Sequence, residues 1–166
     1  PFATRRSLDA NTFGHQARDR VLALDMILPA QAGPWQAACD QAVSAVERAF
    51  ATVQPAVLRL HGDCHPGNVL WRDEGPHLVD LDDACMGPAA QDLWMLLSGE
   101  PEAMARQLRL LLRGYAPFRD FDRRELALVE PLRTYRMLRH SAWLAERWVD
   151  PAFPAAFPFF GTAAYW

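Results

Sequence analysis

Residues 58–81 read LRLHGDCHPGNVLWRDEGPHLVDL, and nowhere else does the chain change texture so sharply. Two apolar flanks enclose His61, Asp63, Cys64, His65 and Asn68. "AVLRL" (56–60), "NVLW" (68–71) and "HLVDL" (77–81) have the length and composition of short strands. "RDEGP" (72–76) is turn chemistry, so the last two strands read as a hairpin. A polar loop between short strands on a helical base is a common way to hold reactive groups on a rigid support.

The rest of the chain reads as helix. Residues 11–29 carry an apolar stripe of Val21, Leu22, Leu24 and Leu28, with Asn11 or Thr12 as a cap. "QAGP" (31–34) reads as a break, and Pro34 suits the first turn of a second helix running to Val53. Gly87-Pro88 opens "AAQDLWMLL", and another helix covers 102–115. Asp122 and Glu125 have capping-box spacing before a last helix to Val149, kinked at Pro131. The tail, "DPAFPAAFPFFGTAAYW", reads as an extended segment packed on the surface. The expected fold class is mainly α with a small β-hairpin (α+β).

With 166 residues, the chain is long enough for one domain with a real core. Its net charge of −3 points away from nucleic acid and from anionic membrane surfaces. No apolar run approaches the ~20 residues of a membrane span. The start, "PFATRRSLDA", lacks the apolar stretch of a signal peptide, so a cytoplasmic protein is expected. Cys39, Cys64 and Cys85 are odd in number and without C-x-x-C spacing, so they read as reduced thiols. All 17 basic residues are arginine. A mechanism that needs a lysine must import it.

Three chemistries compete for the polar loop. His61, Cys64, His65 and His77 could ligate zinc, but their spacing lacks the recurrence of a four-ligand site. Cys64 with a neighbouring histidine could be a nucleophile, yet no oxyanion donors are apparent. Phosphoryl transfer needs a carboxylate to accept the hydroxyl proton and oxygen ligands for Mg²⁺. Asp63 and Asn68 have the spacing of a kinase catalytic loop, and Asp80 lies on the far side of the hairpin. Each residue has a plainer reading: Asp63 a turn residue, Asn68 a strand entry. Asp80 inside an apolar strand would need a partner. Asp82 either shares its strand face or caps the following turn.

The run "RLHGDCHPGNVLWRDEGPHLVDLDDACMGPAAQDLWMLLSG" resembles the aminoglycoside phosphotransferase/choline kinase-like branch of the protein-kinase-like fold. The resemblance implies the C-terminal lobe of that fold over residues 1–166, with ATP and Mg²⁺ as cofactors. It implies Asp63 as catalytic base and Asn68 and Asp80 as metal ligands. His61 would brace the loop backbone, and Asp92 would hydrogen-bond the loop from a helix beneath it. The same resemblance, extended by "EPLR…AWLAERWVDPAFPAAFP", favours a serine/threonine protein kinase of bacterial stress response. A small-molecule hydroxyl kinase or a non-catalytic interaction module are the alternatives. An arginine-lined helix (Arg133, Arg136, Arg139, Arg147) would suit an acidic substrate better than a polycationic one.

Such kinases also need an N-terminal lobe with a glycine-rich loop and a lysine. Neither a lysine nor a G-x-G occurs here. We therefore expect a fragment of a longer kinase, inactive alone and able to self-associate through an exposed cleft face.

Overall fold

The strands around the polar loop exist in the computed structural model, which describes residues 5–166, but the first and third are shorter than expected, the second is shifted by one residue, and one pairing is new. β1 is Leu58–Leu60, β2 is Val69–Arg72, β3 is Gly75–Leu78 and β4 is Cys85–Gly87. β2 and β3 form the expected hairpin, with Arg72 opposite Gly75. β1 pairs antiparallel with β4, Leu58 opposite Gly87 and Leu60 opposite Cys85. β4 has only three residues, too few for a periodic signal. On its other side, Leu8 donates to the Met86 carbonyl (2.8 Å) and Met86 to that of Arg6 (3.0 Å). Gly87 keeps this packing close: a Cβ would lie 2.9 Å from Leu60 Cδ1 and 3.1 Å from Leu8 Cβ, so both leucines would have to shift.

These strands belong to one of two compact units, formed by the segment ending at Leu8 together with Thr52–Val129. That unit also holds α3 (Ala90–Trp94) and α4 (Pro101–Tyr115), then a 3₁₀ turn over Arg123–Leu128. α3 is shorter than "AAQDLWMLL" suggested. Asp122 does cap the 3₁₀ turn, accepting from Arg124 N at 2.9 Å. Glu125, however, does not return to Asp122 as a capping box requires. It is buried and accepts the backbone N–H of Ala90 at 3.1 Å.

The other unit comprises Asp9–Ala51 and Glu130–Trp166. A π-helical turn over Ala10–His15 leads into α1 (Gln16–Ala23). α1 stops well before residue 29 because Asp25 adopts φ +51°, a left-handed residue that ends a helix. α2 (Pro29–Val53) then begins earlier than expected, with Pro29 in its first position and Pro34 inside it. Two prolines competed for one start signal, and the first took it. α5 spans Val129–Arg147, and Pro131 falls in its first turn rather than at a kink. The core joins Ala17, Val21, Ile27, Cys39, Val43, Leu138 and Ala142.

The tail is not simply extended. It contains α6 (Ala152–Ala156), and Phe160 is buried with Leu144 and Ala145. Trp166 donates its indole N–H to the Met26 carbonyl at 3.1 Å. Most of the α5 arginines are engaged within this unit. Arg133 pairs with Glu130 at 2.9 Å, while Arg139 and Arg147 stack on Phe13 and Trp143. Among the described residues, no helix is long and apolar enough to cross a membrane.

Candidate active site

The β1–β4 ladder explains why residues from two parts of the sequence meet. Leu60 and Cys85 face each other, so the segments leaving them, 61 onward and 84 backward, run side by side. Gly62 sits at the contact with φ +85°, and a Cβ there would lie 2.1 Å from the Asp83 carbonyl oxygen. Only glycine allows both the backbone angle and the approach. Asp83 is further held by an ion pair with Arg6.

Within the loop, hydrogen bonds fix the backbone residue by residue. His61 is buried, and its Nε2 lies 2.8 Å from the Val79 carbonyl while Nδ1 faces Asp63 N at 3.4 Å. Those partners select the neutral tautomer with its proton on Nε2. Asn68 Nδ2 donates to the Asp63 carbonyl at 2.9 Å, and Val79 N donates to the Asn68 carbonyl at 3.1 Å. His65 Nδ1 accepts from Gly67 N at 3.0 Å, shaping the 3₁₀ turn Pro66–Asn68. Its Nε2 lies 3.6 Å from Asp63 Oδ2. The Asp63 side chain is 19% exposed, enough to reach solvent while its backbone is fixed on both sides.

Asp80 is the residue the sequence misplaced. The run "HLVDL" suggests a strand to 81, but β3 ends at Leu78. Asp80 is exposed rather than buried in an apolar strand, and it has φ +60°. Left-handed geometry is uncommon for a side-chain-bearing residue and costs ~1–2 kcal/mol. Its neighbours leave it little choice: Val79 is tied to both His61 and Asn68, and Asp83 presses on Gly62. Asp80 is thus bracketed beside the loop that carries Asp63 and Asn68. Asp82 shares no strand face with it. It is exposed in the turn closed by Ala84 N on the Leu81 carbonyl (3.1 Å).

Beneath the loop, Asp92 accepts from His61 N (2.8 Å) with one oxygen and from Gly62 N (2.9 Å) with the other. Burial raises its pKa above the ordinary carboxylate value, and the two N–H donors work against that. Gln91, which sequence reasoning missed, donates to the Gly62 carbonyl at 3.1 Å and accepts from Trp94 Nε1 at 3.2 Å. Adjacent side chains on α3 therefore hold both the donor and the acceptor of Gly62. No local motif marks Gln91, because its partner lies 29 residues away. The His65 Nδ1–Gly67 N contact, missed as well, is a short-range cap of the 3₁₀ turn that His-Pro-Gly spacing could show.

The zinc reading fails. Among the described residues, no three His, Cys, Asp or Glu side chains are grouped to hold a metal. His61 is committed to the backbone, and His77 is exposed on β3. The nucleophile reading fails too. Cys64 is buried, and burial, with Asp92 and Asp63 adding to it, pushes its thiol up to about 11. The Asn68 amide and the Asp80 carboxylate each carry oxygen of the kind a hard cation takes, Asn68 buried in the loop and Asp80 exposed after β3.

Comparison with known proteins agrees with this geometry. Residues 1–129 match the family described as "APH: Phosphotransferase enzyme family". The chain is 43% identical over all 166 residues to "Serine/threonine protein kinase RdoA" of Salmonella typhimurium, covering 50% of that protein. It is 56% identical over 110 residues, 66% of this chain, to "Stress response kinase A" of Escherichia coli K12, covering 33% of that protein. The chain thus spans half or less of these relatives. Among solved structures, the AMP-bound spectinomycin phosphotransferase APH(9)-Ia superposes with a TM-score of 0.60 at 17% identity. That match covers 96% of this chain and 54% of the other, and establishes likeness of fold. The chain belongs to the phosphotransferase enzyme family.

Proposed function

We propose that this chain carries the base and metal ligands of an ATP-dependent phosphotransferase acting on serine or threonine hydroxyls of protein. The observation that carries the reading is the mesh joining His61, Asp63, Asn68 and Val79, with Asp80 turned into left-handed geometry beside it. Outliers of this kind concentrate at functional sites.

Each residue then has a task. Asp63 accepts the proton of the attacking hydroxyl as the new O–P bond forms and the bond from the γ-phosphorus to the departing ADP breaks. Asn68 has its amide N–H on the Asp63 carbonyl, which leaves Oδ1 to face a cation. Asp80 would supply a carboxylate to the same ion. Mg²⁺ held there would offset charge on the nucleotide phosphates. His61 acts on neither proton nor metal: it ties the Asp63 side of the site to the Asp80 side through backbone. The names of the relatives favour a protein substrate in stress response, and the AMP-bound neighbour favours an adenine nucleotide. A small-molecule hydroxyl would use the same three side chains. With no lysine in 166 residues, the chain by itself offers no ammonium to the phosphates and should not turn over alone.

The test is transfer of labelled phosphate from ATP to protein by the full-length enzyme. Asp63→Asn should lose at least ~10²-fold in kcat, the usual share of a general base. Asp80→Asn and Asn68→Ala should raise the Mg²⁺ concentration needed for half-maximal rate. Wild-type rates in Asp63→Asn would refute the assignment.

A further inference from the structure

We propose that Glu125 is a positioning residue for the catalytic loop, acting through α3; the proposal deepens the phosphotransfer reading and rests on it. α3 has only five residues, and its N-cap is Ala89, which has no side-chain oxygen to offer the first turn. The N–H groups at a helix start have no intrahelical acceptor, and Ala90 is buried away from water. Glu125 supplies the missing acceptor from 35 residues downstream, with Oε2 3.1 Å from Ala90 N. It is 3% exposed, and the carboxylate has been carried into the interior to make this contact.

What α3 holds gives the contact its consequence. The two residues after Ala90 are Gln91 and Asp92, and between them they hold His61 N, Gly62 N and the Gly62 carbonyl. Asp63 is the next residue in the chain. A line of bonds therefore runs from Glu125 to Ala90, through Gln91 and Asp92, to the backbone that aims Asp63. Releasing the first turn of so short a helix would shift both bracing side chains together, because they stand on the two residues that directly follow Ala90. Supporting residues of this kind set how tightly a reacting group is aimed.

Reach and charge can be separated by substitution. Glu125→Gln keeps the length and an acceptor oxygen but loses the charge. Glu125→Asp keeps the charge but is one methylene too short for Ala90. In the full-length enzyme, Glu125→Asp should lose about five-fold and Glu125→Ala about ten-fold or more in kcat, as expected for a misaimed group. KM for ATP should stay within about two-fold, and Glu125→Gln should retain more than about a third of the rate, because aim rather than nucleotide binding is altered. Backbone hydrogen exchange is the second readout: in the Asp and Ala variants it should rise at residues 61–62 and 90 and stay unchanged in α5. The reverse order, Asp active and Gln inactive, would overturn the proposal, as would wild-type kcat in all three variants or a rise in exchange spread evenly over the protein. If the wild type transfers no phosphate, the phosphotransfer reading falls, and the exchange pattern alone decides the positioning of the loop.

Discussion

Replacing Gly62 with alanine should damage this protein more than its single methyl suggests. The new Cβ would sit 2.1 Å from the Asp83 carbonyl oxygen and 3.2 Å from Cys85 Sγ. The oxygen belongs to backbone that the Arg6 ion pair and the β1–β4 ladder hold in place, so it has no rotamer to escape into. Overpacking of this kind costs ~1–3 kcal/mol or more. The φ of +85° adds ~1–2 kcal/mol for a residue with a Cβ. The expected loss is ~2–5 kcal/mol, a large share of a stability of ~5–15 kcal/mol. Two other glycines separate the terms. Gly75 has φ +119° and nothing within 4 Å, so Gly75→Ala should cost only the ~1–2 kcal/mol of strain. Gly33 lies in α2, also with nothing within 4 Å, and Gly33→Ala should gain ~0.5–1 kcal/mol. Urea unfolding followed by circular dichroism reads all three. A loss below ~1 kcal/mol at Gly62, or no difference between Gly62 and Gly75, would refute the claim that the two segments are wedged together there.

Other expectations follow from the same contacts. Asp92→Asn keeps one acceptor for two part-buried donors and should destabilise by ~1–3 kcal/mol at pH 7. Because burial raises the Asp92 pKa in the folded state, the wild type should gain on this variant as pH falls through that raised value towards 3.8. A gap that narrows on acidification, measured by urea unfolding from pH 7 to 4, contradicts the assignment. Cys64 should label with iodoacetamide at pH 8 about 100-fold more slowly in the folded protein than in urea, since its thiol is pushed up to about 11. Equal rates would mean the thiol is not buried. Phe160→Ala should cost ~3–5 kcal/mol, whereas Phe118→Ala, at a residue 90% exposed, should stay within ~0.5 kcal/mol. Similar thermal shifts for the two variants would contradict the packed tail.

How much of the site was legible depended on distance along the chain. The loop around the proposed base Asp63 and the proposed ligand Asn68 is held by local bonds spanning two to five residues, which is the range that sequence spacing can show. Asp80 is proposed by its place after a hairpin, and the strand setting expected for it differs from the left-handed turn observed. An apolar run around an aspartate looks like a strand, and the left-handed turn that exposes it is enforced by Val79 and Asp83 contacts to residues far earlier in sequence. Gln91 and Glu125 were beyond reach for the same reason. Capping-box spacing suggested a local use for Glu125, but the uncapped start of α3 outcompeted it. Helix starts suffered a milder ambiguity, with Pro29 and Pro34 both fit to begin α2. The tail's aromatics read as packing on the rest of the chain, as Phe160 does against Leu144 and Ala145, but nothing among its prolines marked the short helix α6.

The central claim is that Asn68 and Asp80 share one cation next to the Asp63 carboxylate. A crystal structure of the full-length protein with Mg²⁺ and a non-hydrolysable ATP analogue tests it most directly. We expect Asn68 Oδ1 and an Asp80 carboxylate oxygen at ~2.0–2.1 Å from one ion that also meets the phosphates. Nucleotide and ion bound elsewhere, or Asp80 turned out of the coordination sphere with its backbone still left-handed, would contradict the account.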